Sequence, residues 1–212
     1  MGRTKTSLTR LPPEDQLQPY VLEPTGPLLW QEIFGNGQPV EVEVGCGKGL
    51  FLISSAAQFP TRNFLGIEIA NKFARFTAAR LAKHSLTNAR VAHADARRVL
   101  TEWIADSSVS ALHVYFPDPW WKRRHKKRRI FTDSFLTQVV RVLVSGGQLR
   151  FAMDVPEYFD ETNRRIESQP ALIPAELPAE HPPQHDLDYL TNFERKYRKV
   201  GKSVFRACYA KR

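Results

Sequence analysis

The sequence has few cysteines and no long apolar run. Only two of its 212 residues are cysteines, Cys46 and Cys208, and their separation fits neither a metal-binding nor a redox spacing. No stretch approaches the roughly 18 apolar residues of a transmembrane helix, and the N-terminus lacks the apolar region of a signal peptide. We therefore expect no membrane association, no metal and no disulfide framework, and we expect the protein in the reducing cytoplasm.

The composition is that of an ordinary globular protein. Apolar residues make up 42% of the chain and charged residues 25%, so a sizeable core is possible. The length favours one α/β domain with an extension over two small domains. Residues 1–35 hold five prolines and are predicted to form an extended N-terminal arm. Residues 36–212 are predicted to form a single domain with a proline-rich loop at 170–185.

The positive charge is concentrated in two segments. The formal net charge is +9, yet residues 122–129 alone carry +7 and residues 195–212 carry +8, so the rest of the chain is net acidic. Clustered basic residues on an acidic body favour a polyanionic partner such as a nucleic acid. A solvated charged face or a basic tail is the alternative interpretation.

Strand and helix patterns alternate from residue 40 onwards. The predicted strands are 40–44, 63–69, 89–93, 111–116 and 148–153, with a last strand at 203–210. The predicted helices are 50–59, 71–84, 132–144 and 156–167, the third of them ended by a Gly-Gly pair. This alternation predicts parallel βαβ units in a doubly wound sheet.

A glycine-rich loop separates the first predicted strand from its helix. Gly45, Gly47 and Gly49 follow Glu43 in the pattern E-x-G-x-G-x-G. Glycines allow a tight turn and let a ligand approach the backbone. The third glycine of the dinucleotide fingerprint and the Ser or Thr of the nucleotide triphosphatase loop are both absent. The pattern resembles the S-adenosylmethionine loop of class I methyltransferases, although a simple strand-to-helix turn is the structural alternative.

Two further carboxylates follow the next two predicted strands. Glu68 ends the second strand, where a carboxylate can accept hydrogen bonds from both hydroxyls of a ribose. Asp95 follows the third strand, and its carboxylate suits the exocyclic amine of adenine. Together with the glycine loop they favour an adenosine-containing cofactor.

The most distinctive segment begins where the fourth strand ends. Asp118 lies between two prolines that stiffen the loop, and ligands of open α/β sheets bind outside the carboxyl ends of the strands. Trp120 and Trp121 then offer surfaces on which a base can stack. The basic run 122–129 follows directly and suits contacts to phosphates.

These motifs together resemble the bacterial tRNA (guanine-N7-)-methyltransferase family. The resemblance rests on E-V-G-C-G-K-G, G-I-E-I, A-D-A, F-P-D-P-W-x-K-x-R-H-x-K-R-R and T-N-F-E, and it extends over about residues 40–212. It implies a class I methyltransferase fold, a Rossmann-like doubly wound sheet that is mostly parallel with an antiparallel last strand. It also implies S-adenosylmethionine as cofactor, tRNA as partner, and methyl transfer to N7 of guanosine 46 in the variable loop.

The resemblance also implies roles for individual residues. Asp118 would be the catalytic residue. The cofactor-binding residues would be Glu43, Gly45, Gly47, Gly49, Glu68, Asp95 and Asp118. The substrate-binding residues would be Lys122, Asp154, Thr191, Asn192, Phe193 and Glu194. The RNA contacts would come from Arg124, His125, Lys126, Lys127, Arg128 and Arg129.

The chain departs from the family pattern near two of these residues. Trp121 stands where bacterial members usually have proline, and Met153 and Val155 flank Asp154 where Thr and Trp are commoner. Asp154 has the alternative role of capping the helix that follows it.

Two other functions stay open at this point. A methyltransferase acting on an exocyclic amine would carry a second proline after Asp118-Pro119, and this chain has Trp120 there. A non-catalytic RNA-binding protein on a methyltransferase fold would not need the four carboxylates.

The pair His181 and His185 lies in a proline-rich segment with no helix to align it, so it does not indicate a metal site. The sequence leaves open whether the protein is a monomer or a homodimer.

Overall fold

An eight-stranded sheet organises the chain, of which the computed structural model describes residues 12–177, 191, 194, 201 and 203–212, with the side chain of Arg123 left out. The strands are β1 (Val21–Leu22), β2 (Val40–Val44), β3 (Asn63–Glu68), β4 (Ala89–His93), β5 (Val109–Tyr115), β6 (Leu143–Met153), β7 (Leu172–Pro174) and β8 (Phe205–Lys211). Their spatial order is β1-β4-β3-β2-β5-β6-β8-β7. All neighbours up to β6 pair in parallel, whereas β8 runs antiparallel to β6 and to β7. This confirms the predicted fold class.

Helices cover both faces of the sheet. The helices are α1 (Glu14–Leu17), α2 (Trp30–Phe34), α3 (Leu50–Gln58), α4 (Asn71–Lys83), α5 (Ala96–Arg98), α6 (Asp133–Val142) and α7 (Pro156–Glu167). A π-helical turn at Val99–Trp103 and a 3-10 helix at Arg123–Arg128 complete the described helical residues. Within the described part of the chain, no helix combines the length and apolar character that a membrane crossing requires.

Each face of the sheet has its own apolar core. Helices α3 and α4 bury Leu52 and Ala78 against one face. Helices α6 and α7 bury Leu136 and Ile166 against the other. Each fully buried leucine contributes roughly 1.5–3 kcal/mol, so these two layers hold the strands in the order that positions the site.

Strand β2 is more buried than its sequence pattern suggests. Strand β2 alternates valine with glutamate, a pattern typical of a half-exposed strand, yet all five of its residues are buried. Both glutamates face the α3 layer: Glu41 has polar partners there, whereas Oε2 of Glu43 has no hydrogen-bond partner among the described residues.

The diglycine after α6 does not end that helix. We predicted a helix up to residue 144, but α6 ends at Val142 and β6 begins at Leu143. The register with β5 then jumps from Leu143 to Gln148, so the intervening residues form a bulge in which Gly146 has φ 74°. A left-handed glycine is a common component of such bulges.

The proline-rich loop contains a short strand. Residues 170–185 were predicted to form a proline-rich loop, but β7 occupies Leu172–Pro174. Proline is tolerated because β7 is an edge strand that pairs on one side only, with β8. The rest of that loop from residue 178, including His181 and His185, lies outside the described residues.

The described part of the N-terminal arm packs against the domain. Leu17 of α1 is fully buried in the core beneath α4, and β1 extends the sheet by pairing with β4. Helix α2 also lies in this segment, which was predicted to be extended. Residues 1–11 lie outside the described residues.

A buried polar chain connects β2 to β5 under helix α3. Oε2 of Glu41 lies 2.8 Å from Nε2 of His113, and Nη1 of Arg62 donates to Oε1 of Glu41 at 2.7 Å. Burial lowers the pKa of His113, so the ring is neutral, its Nε2–H donates to Glu41, and its Nδ1 accepts from the Tyr115 hydroxyl at 2.9 Å. Burial raises the pKa of Glu41, but the hydrogen bonds from His113 and Arg62 outweigh it and lower the pKa to about 2.

This arrangement predicts a loss of stability in acid. The folded-state pKa of Glu41 lies below the unfolded value of 4.5, so the unfolded chain binds more protons as the pH falls. We expect about 3 kcal/mol of unfolding free energy to be lost between pH 4.5 and 2 through this group. Urea unfolding of the wild type and of Glu41→Gln measures it. The variant should be less stable at pH 7 and should show a flatter acid limb, and identical acid limbs would contradict the assignment.

Candidate active site

Five acidic residues lie at, or just after, the carboxyl ends of five parallel strands. The parallel register aligns those ends: Glu68 pairs with His93, and Tyr115 pairs with Ala152. The strand order reverses between β2 and β5, which is where open α/β sheets bind their ligands. The acidic residues at this edge are Glu43, Glu68, Asp95, Asp118 and Asp154. The glycine loop and the loop that carries Asp118 therefore lie on the same edge of the sheet.

The glycine loop is held open by neighbouring elements. Gly47 has φ 53°, a left-handed conformation that favours glycine, and a Cβ placed on it would meet no atom within 4 Å. Oγ1 of Thr77 donates to the Gly47 carbonyl at 2.9 Å, and a Cβ on Gly49 would lie 2.3 Å from Cγ2 of Thr77. The loop thus packs tightly against α4 on one side and presents its backbone on the other.

Glu43 is buried directly before this loop. Its side chain is 3% exposed, and Oε2 is a buried acceptor with no hydrogen-bond partner among the described residues. Burial, and after it the nearby Glu68 carboxylate, raises the pKa of Glu43 to about 8. An unpartnered buried carboxyl is costly, so the site is arranged for a cationic or hydrogen-bonding group that the described residues do not supply.

Glu68 has a structural task that the sequence did not reveal. Its Oε2 accepts the backbone N–H of Gly47 at 2.9 Å and its Oε1 accepts that of Ala70 at 2.8 Å. The same carboxylate therefore orders the glycine loop and the start of α4. Each oxygen keeps a second acceptor position, so binding to ribose hydroxyls remains compatible with these bonds.

Asp95 and Ile69 lie just after the ends of the neighbouring strands β4 and β3, on the same side of the site as Glu68. Asp95 is exposed, and its Oδ1 accepts the backbone N–H of Arg97 at 2.9 Å as the N-cap of α5. Ile69 follows Glu68 and is 68% exposed, which is unusual for a large apolar side chain. An apolar surface beside Asp95 suits the face of an adenine ring. The sequence does not single out Ile69, because nothing in the pattern distinguishes it from a buried strand residue.

Asp118 lies on a strained loop. The residues on either side of its two flanking prolines, Phe116 and Trp120, have φ 50° and 44°, which are rare for residues other than glycine. The loop is anchored at its start by the bond from the Phe116 N–H to the Ala152 carbonyl, 2.8 Å long. Strain of this kind is found where the surrounding structure holds a functional group in place. Asp118 itself is exposed at the edge of the sheet.

Arg129 differs from the other residues of the basic run. It is only 8% exposed, its Nε donates to the Pro119 carbonyl at 2.8 Å, and its Nη1 lies 2.6 Å from Oε2 of Glu161. Its guanidinium also stacks 4.3 Å from the centroid of Tyr158. We predicted an RNA contact for Arg129, but these bonds turn its side chain inward. Its role is to hold the loop of Asp118.

The rest of the basic run faces solvent. Lys122, Arg124, Lys126, Lys127 and Arg128 are exposed, and His125 is partly buried. This surface adjoins Asp118 because the 3-10 helix starts five residues after it.

The two tryptophans of this loop differ in availability. Trp120 is covered, since Arg128 lies 4.9 Å above its ring and His125 packs against it edge-on at 5.8 Å. Trp121 is 69% exposed, and it is therefore the better candidate for stacking on a base.

Asp154 and Glu194 lie on the β6 and β8 side of the sheet. Asp154 follows β6, and α7 begins after Val155 with no side-chain capping bond in the described structure, so capping does not explain Asp154. Glu194 is 3% exposed and pairs with Arg206, which lies opposite Ala152 in the register.

The T-N-F-E segment is described at its two ends only. Oγ1 of Thr191 accepts the backbone N–H of Glu194 at 3.1 Å, and both residues are buried. Asn192 and Phe193 lie outside the described residues. Among the described residues, no group of three or more His, Cys, Asp and Glu is arranged to hold a metal ion.

Comparison with known proteins identifies the family. A family profile described as "Putative methyltransferase" matches residues 37–207. A tRNA (guanine-N(7)-)-methyltransferase of Rhodopirellula baltica is 44% identical over 188 residues, which cover 86% of this chain and 69% of that protein. The chain belongs to the tRNA (guanine-N7)-methyltransferase family. A member from Haemophilus influenzae is 33% identical over 89% of this chain and 76% of its own length.

Solved structures agree on the fold. The 16S rRNA methyltransferase KamB superimposes with a TM-score of 0.62 over 86% of this chain and 93% of its own, at 18% identity. At that identity the match concerns the class I methyltransferase fold alone. The methyl donor of the family to which this chain belongs is S-adenosylmethionine.

Proposed function

We propose that the protein transfers a methyl group from S-adenosylmethionine to N7 of a guanosine in tRNA, and that the guanosine is position 46 of the variable loop. The observation that carries the proposal is the placement of Asp118. Its carboxylate shares one edge of the sheet with the glycine loop, and it is followed at once by an exposed basic surface. An enzyme that joins an adenosine cofactor to a polyanionic substrate needs this juxtaposition. The cytoplasm is the compartment we propose for the reaction.

The residues at the edge fit the cofactor. Oε2 of Glu43 is a buried acceptor with no partner among the described residues, and the loop at Gly47 leaves open space beside its backbone. Glu43 and the glycine loop would hold the methionine portion, whereas Glu68 and Asp95 would hold the ribose and the adenine. Ile69 would pack against the adenine ring.

The chemistry needs orientation more than proton transfer. When bound, S-adenosylmethionine would supply a methyl group on a sulfonium: the N7 lone pair would form the new bond to the methyl carbon as the C–S bond breaks, and the sulfur would keep the electrons of that bond in neutral S-adenosylhomocysteine. Guanine N7 presents an in-plane lone pair and carries no proton, so no general base is required. The guanine ring gains positive charge in this step. The protein accelerates it by aligning the two reactants and by placing negative charge near the ring.

The other site residues have complementary roles. Asp118, held between the strained positions of its loop, orients the guanine and stabilises the charge that develops on it. Asp154 is an acceptor suited to the donor-rich edge of guanine, whereas Glu194 is buried, pairs with Arg206 and would support that side of the substrate site. Lys122 and the exposed basic residues bind phosphates. Since a variable-loop base is shielded by tertiary contacts in tRNA, the enzyme has to unstack it, and Trp121 offers a surface to receive it.

Mapping the modified position tests the proposal directly. Bulk tRNA from cells that lack this modification is incubated with the protein and S-adenosylmethionine, digested, and analysed by nucleoside mass spectrometry and site mapping. The expected product is N7-methylguanosine at position 46. Methylation of an exocyclic amine would identify the alternative enzyme class. The absence of any methylation, together with no calorimetric binding of S-adenosylmethionine, would identify a non-catalytic RNA-binding protein.

The exposed basic residues should set the salt dependence of tRNA binding. Replacing Arg124, Lys126 and Lys127 with glutamine removes three charges that face solvent beside the site. We expect weaker binding and a slope of log K against log salt that falls by roughly 0.7–0.9 for each lost phosphate contact. Fluorescence anisotropy at several salt concentrations gives the slope.

A distant lysine provides the control. Lys83 ends α4 at the opposite edge of the sheet and is also exposed, so Lys83→Gln removes one charge from outside the proposed footprint. It should leave the slope unchanged, whereas Lys126→Gln should lower it. Equal slopes for the triple variant and the wild type would remove this surface from the tRNA footprint.

A further inference from the structure

Arg97 joins the loop of Asp95 to the basic run. Its backbone N–H donates to Oδ1 of Asp95 at 2.9 Å. Its guanidinium reaches across the edge of the sheet, where Nη2 donates to the carbonyls of Arg128 at 3.0 Å and Arg129 at 2.8 Å. One residue therefore contacts both the proposed adenine-side carboxylate and the end of the RNA-facing 3-10 helix.

The connection continues to the loop that carries the catalytic aspartate. Arg129, whose carbonyl accepts from Arg97, uses its own Nε to hold the Pro119 carbonyl at 2.8 Å. The peptide of Pro119 adjoins Asp118. Three hydrogen bonds, joined by the covalent structure of Arg97 and Arg129, thus link Asp95 to the loop of Asp118. The bond from Arg129 to Glu161 fixes this path to α7.

We propose that Arg97 is a positioning residue that couples cofactor binding to tRNA binding, because it ties the cofactor-side loop of Asp95 to the backbone that presents the basic surface. The inference rests on the proposed function, since it takes S-adenosylmethionine and tRNA as the two ligands. A cofactor that engages Asp95 restrains the capped end of α5, and Arg97 transmits the restraint to the two carbonyls. The basic surface then has less freedom to lose when tRNA binds, so the two ligands favour each other's binding.

The neighbouring Arg98 offers a matched control. It is exposed like Arg97 and carries the same charge one residue further along the chain. Its Nε pairs with Oε2 of Glu102 at 2.9 Å, and its guanidinium lies 4.8 Å from the ring of Trp103. Both partners belong to the adjacent π-helical turn. Arg98 therefore has the same charge without the described bonds to the basic run.

The experiment compares the affinity for tRNA with and without S-adenosylhomocysteine, which is what S-adenosylmethionine becomes after methyl transfer. Binding of an unmodified tRNA transcript is measured by anisotropy, with and without saturating S-adenosylhomocysteine, for the wild type, Arg97→Gln, Arg97→Lys and Arg98→Gln. The wild type should bind tRNA on the order of five- to tenfold more tightly with the product bound, a factor typical of coupled sites. That factor should fall to about one in Arg97→Gln and stay at the wild-type value in Arg98→Gln.

The lysine variant separates geometry from charge. Arg97→Lys keeps the positive charge but replaces the two fixed N–H donors of Nη2, which serve both carbonyls, with a freely rotating ammonium on a shorter side chain, so its factor should lie between those of the wild type and Arg97→Gln. Reciprocity gives a second check, because tRNA must tighten the binding of S-adenosylhomocysteine by the same factor in each protein. Thermal unfolding of all four proteins shows that the comparison concerns folded protein.

Three results would overturn the proposal. One is a factor of about one in the wild type. Another is a wild-type factor in Arg97→Gln. The third is an equal loss of tRNA affinity in Arg97→Gln with and without the product, which would make Arg97 a simple phosphate contact. Each can occur in a protein that still forms N7-methylguanosine in tRNA, so failure of this inference is distinguishable from failure of the proposed function.

Discussion

Replacing Glu43 with glutamine is expected to abolish measurable cofactor binding and, at pH 8, to make the ligand-free protein more stable than the wild type. Both effects have one cause, the burial of a carboxyl whose Oε2 has no partner among the described residues. A buried carboxyl that is placed to bind a ligand destabilises the folded protein when the ligand is absent. The variant removes the charge while nearly preserving the shape of the side chain.

The sign of the stability effect follows from the direction of the pKa shift. Burial, with a smaller effect of the Glu68 carboxylate, raises the pKa of Glu43 from 4.5 to about 8 in the folded state. The contribution of such a group is fully present below pH 4.5 and is lost as the pH rises towards 8. The shift corresponds to a penalty of about 4 kcal/mol in ligand-free protein at pH 8. Urea unfolding at pH 5 and pH 8 should show that the free energy of unfolding of Glu43→Gln, relative to that of the wild type, increases with pH.

Cofactor affinity should show the opposite dependence on pH. A cationic group beside Glu43 favours its ionised form, so binding at neutral pH releases a proton and affinity increases with pH up to about 8. Calorimetry in buffers of different ionisation enthalpy measures the released proton. S-adenosylhomocysteine keeps the ammonium group but lacks the sulfonium charge, so comparing it with S-adenosylmethionine shows which cation the carboxylate serves.

The neighbouring glutamate of the same strand is the control. Glu41 is also buried on β2, but His113 and Arg62 satisfy it and its pKa is lowered to about 2. Glu41→Gln should therefore change stability in acid and leave the slope between pH 5 and 8 unchanged. A Glu43→Gln variant that binds S-adenosylmethionine as the wild type does, or whose stability has the same pH dependence, would remove Glu43 from the cofactor site.

Glu41 and Glu43 also show which features of the fold the sequence predicts and which it does not. The alternation of valine and glutamate in residues 40–44 predicted the strand correctly. It could not show that both glutamates are buried, because period-two alternation is the same whether the polar side faces solvent or a second layer with polar partners. The partners of Glu41, His113 on β5 and Arg62 before β3, come from distant parts of the chain, and Oε2 of Glu43 has no partner among the described residues.

The edge of the sheet that carries the site was the more predictable part. Parallel βαβ units bring the carboxyl ends of all their strands to one edge, so a residue that follows a strand has a predictable place. That rule brought Glu68, Asp95 and Asp118 together from sequence alone. The family resemblance then supplied roles that no spacing rule could provide.

The contacts within the basic run were not predictable. Arg128 and Arg129 are adjacent and chemically identical, yet one is exposed and the other is buried. Only the tertiary arrangement of Glu161 and Pro119 selects Arg129 as the inward-facing member. The bridge made by Arg97 likewise depends on α5 lying close to residues 128 and 129, and a sequence pattern has no signal for it.

Replacing Asp118 with asparagine is expected to lower the single-turnover methylation rate by roughly 10²-fold, with much smaller changes in the affinity for tRNA. The asparagine keeps the size and one acceptor of the side chain but loses the negative charge that faces the developing guanine cation. Rapid-quench assays at saturating S-adenosylmethionine measure the rate. Asp160→Asn, which removes an exposed carboxylate from α7, is the control and should leave the rate unchanged.

The pH dependence of that rate decides how Asp118 acts. N7 has no proton to lose, so an orienting and charge-stabilising carboxylate requires no proton transfer in the rate-limiting step, and the wild-type rate should be nearly constant around neutral pH. A general base would give a different profile, with the rate falling about tenfold per pH unit below neutrality in the wild type and not in Asp118→Asn. That profile would contradict the orienting role. A flat profile at a rate that Asp118→Asn lowers throughout is the result expected of a fixed negative charge on a strained loop between two prolines.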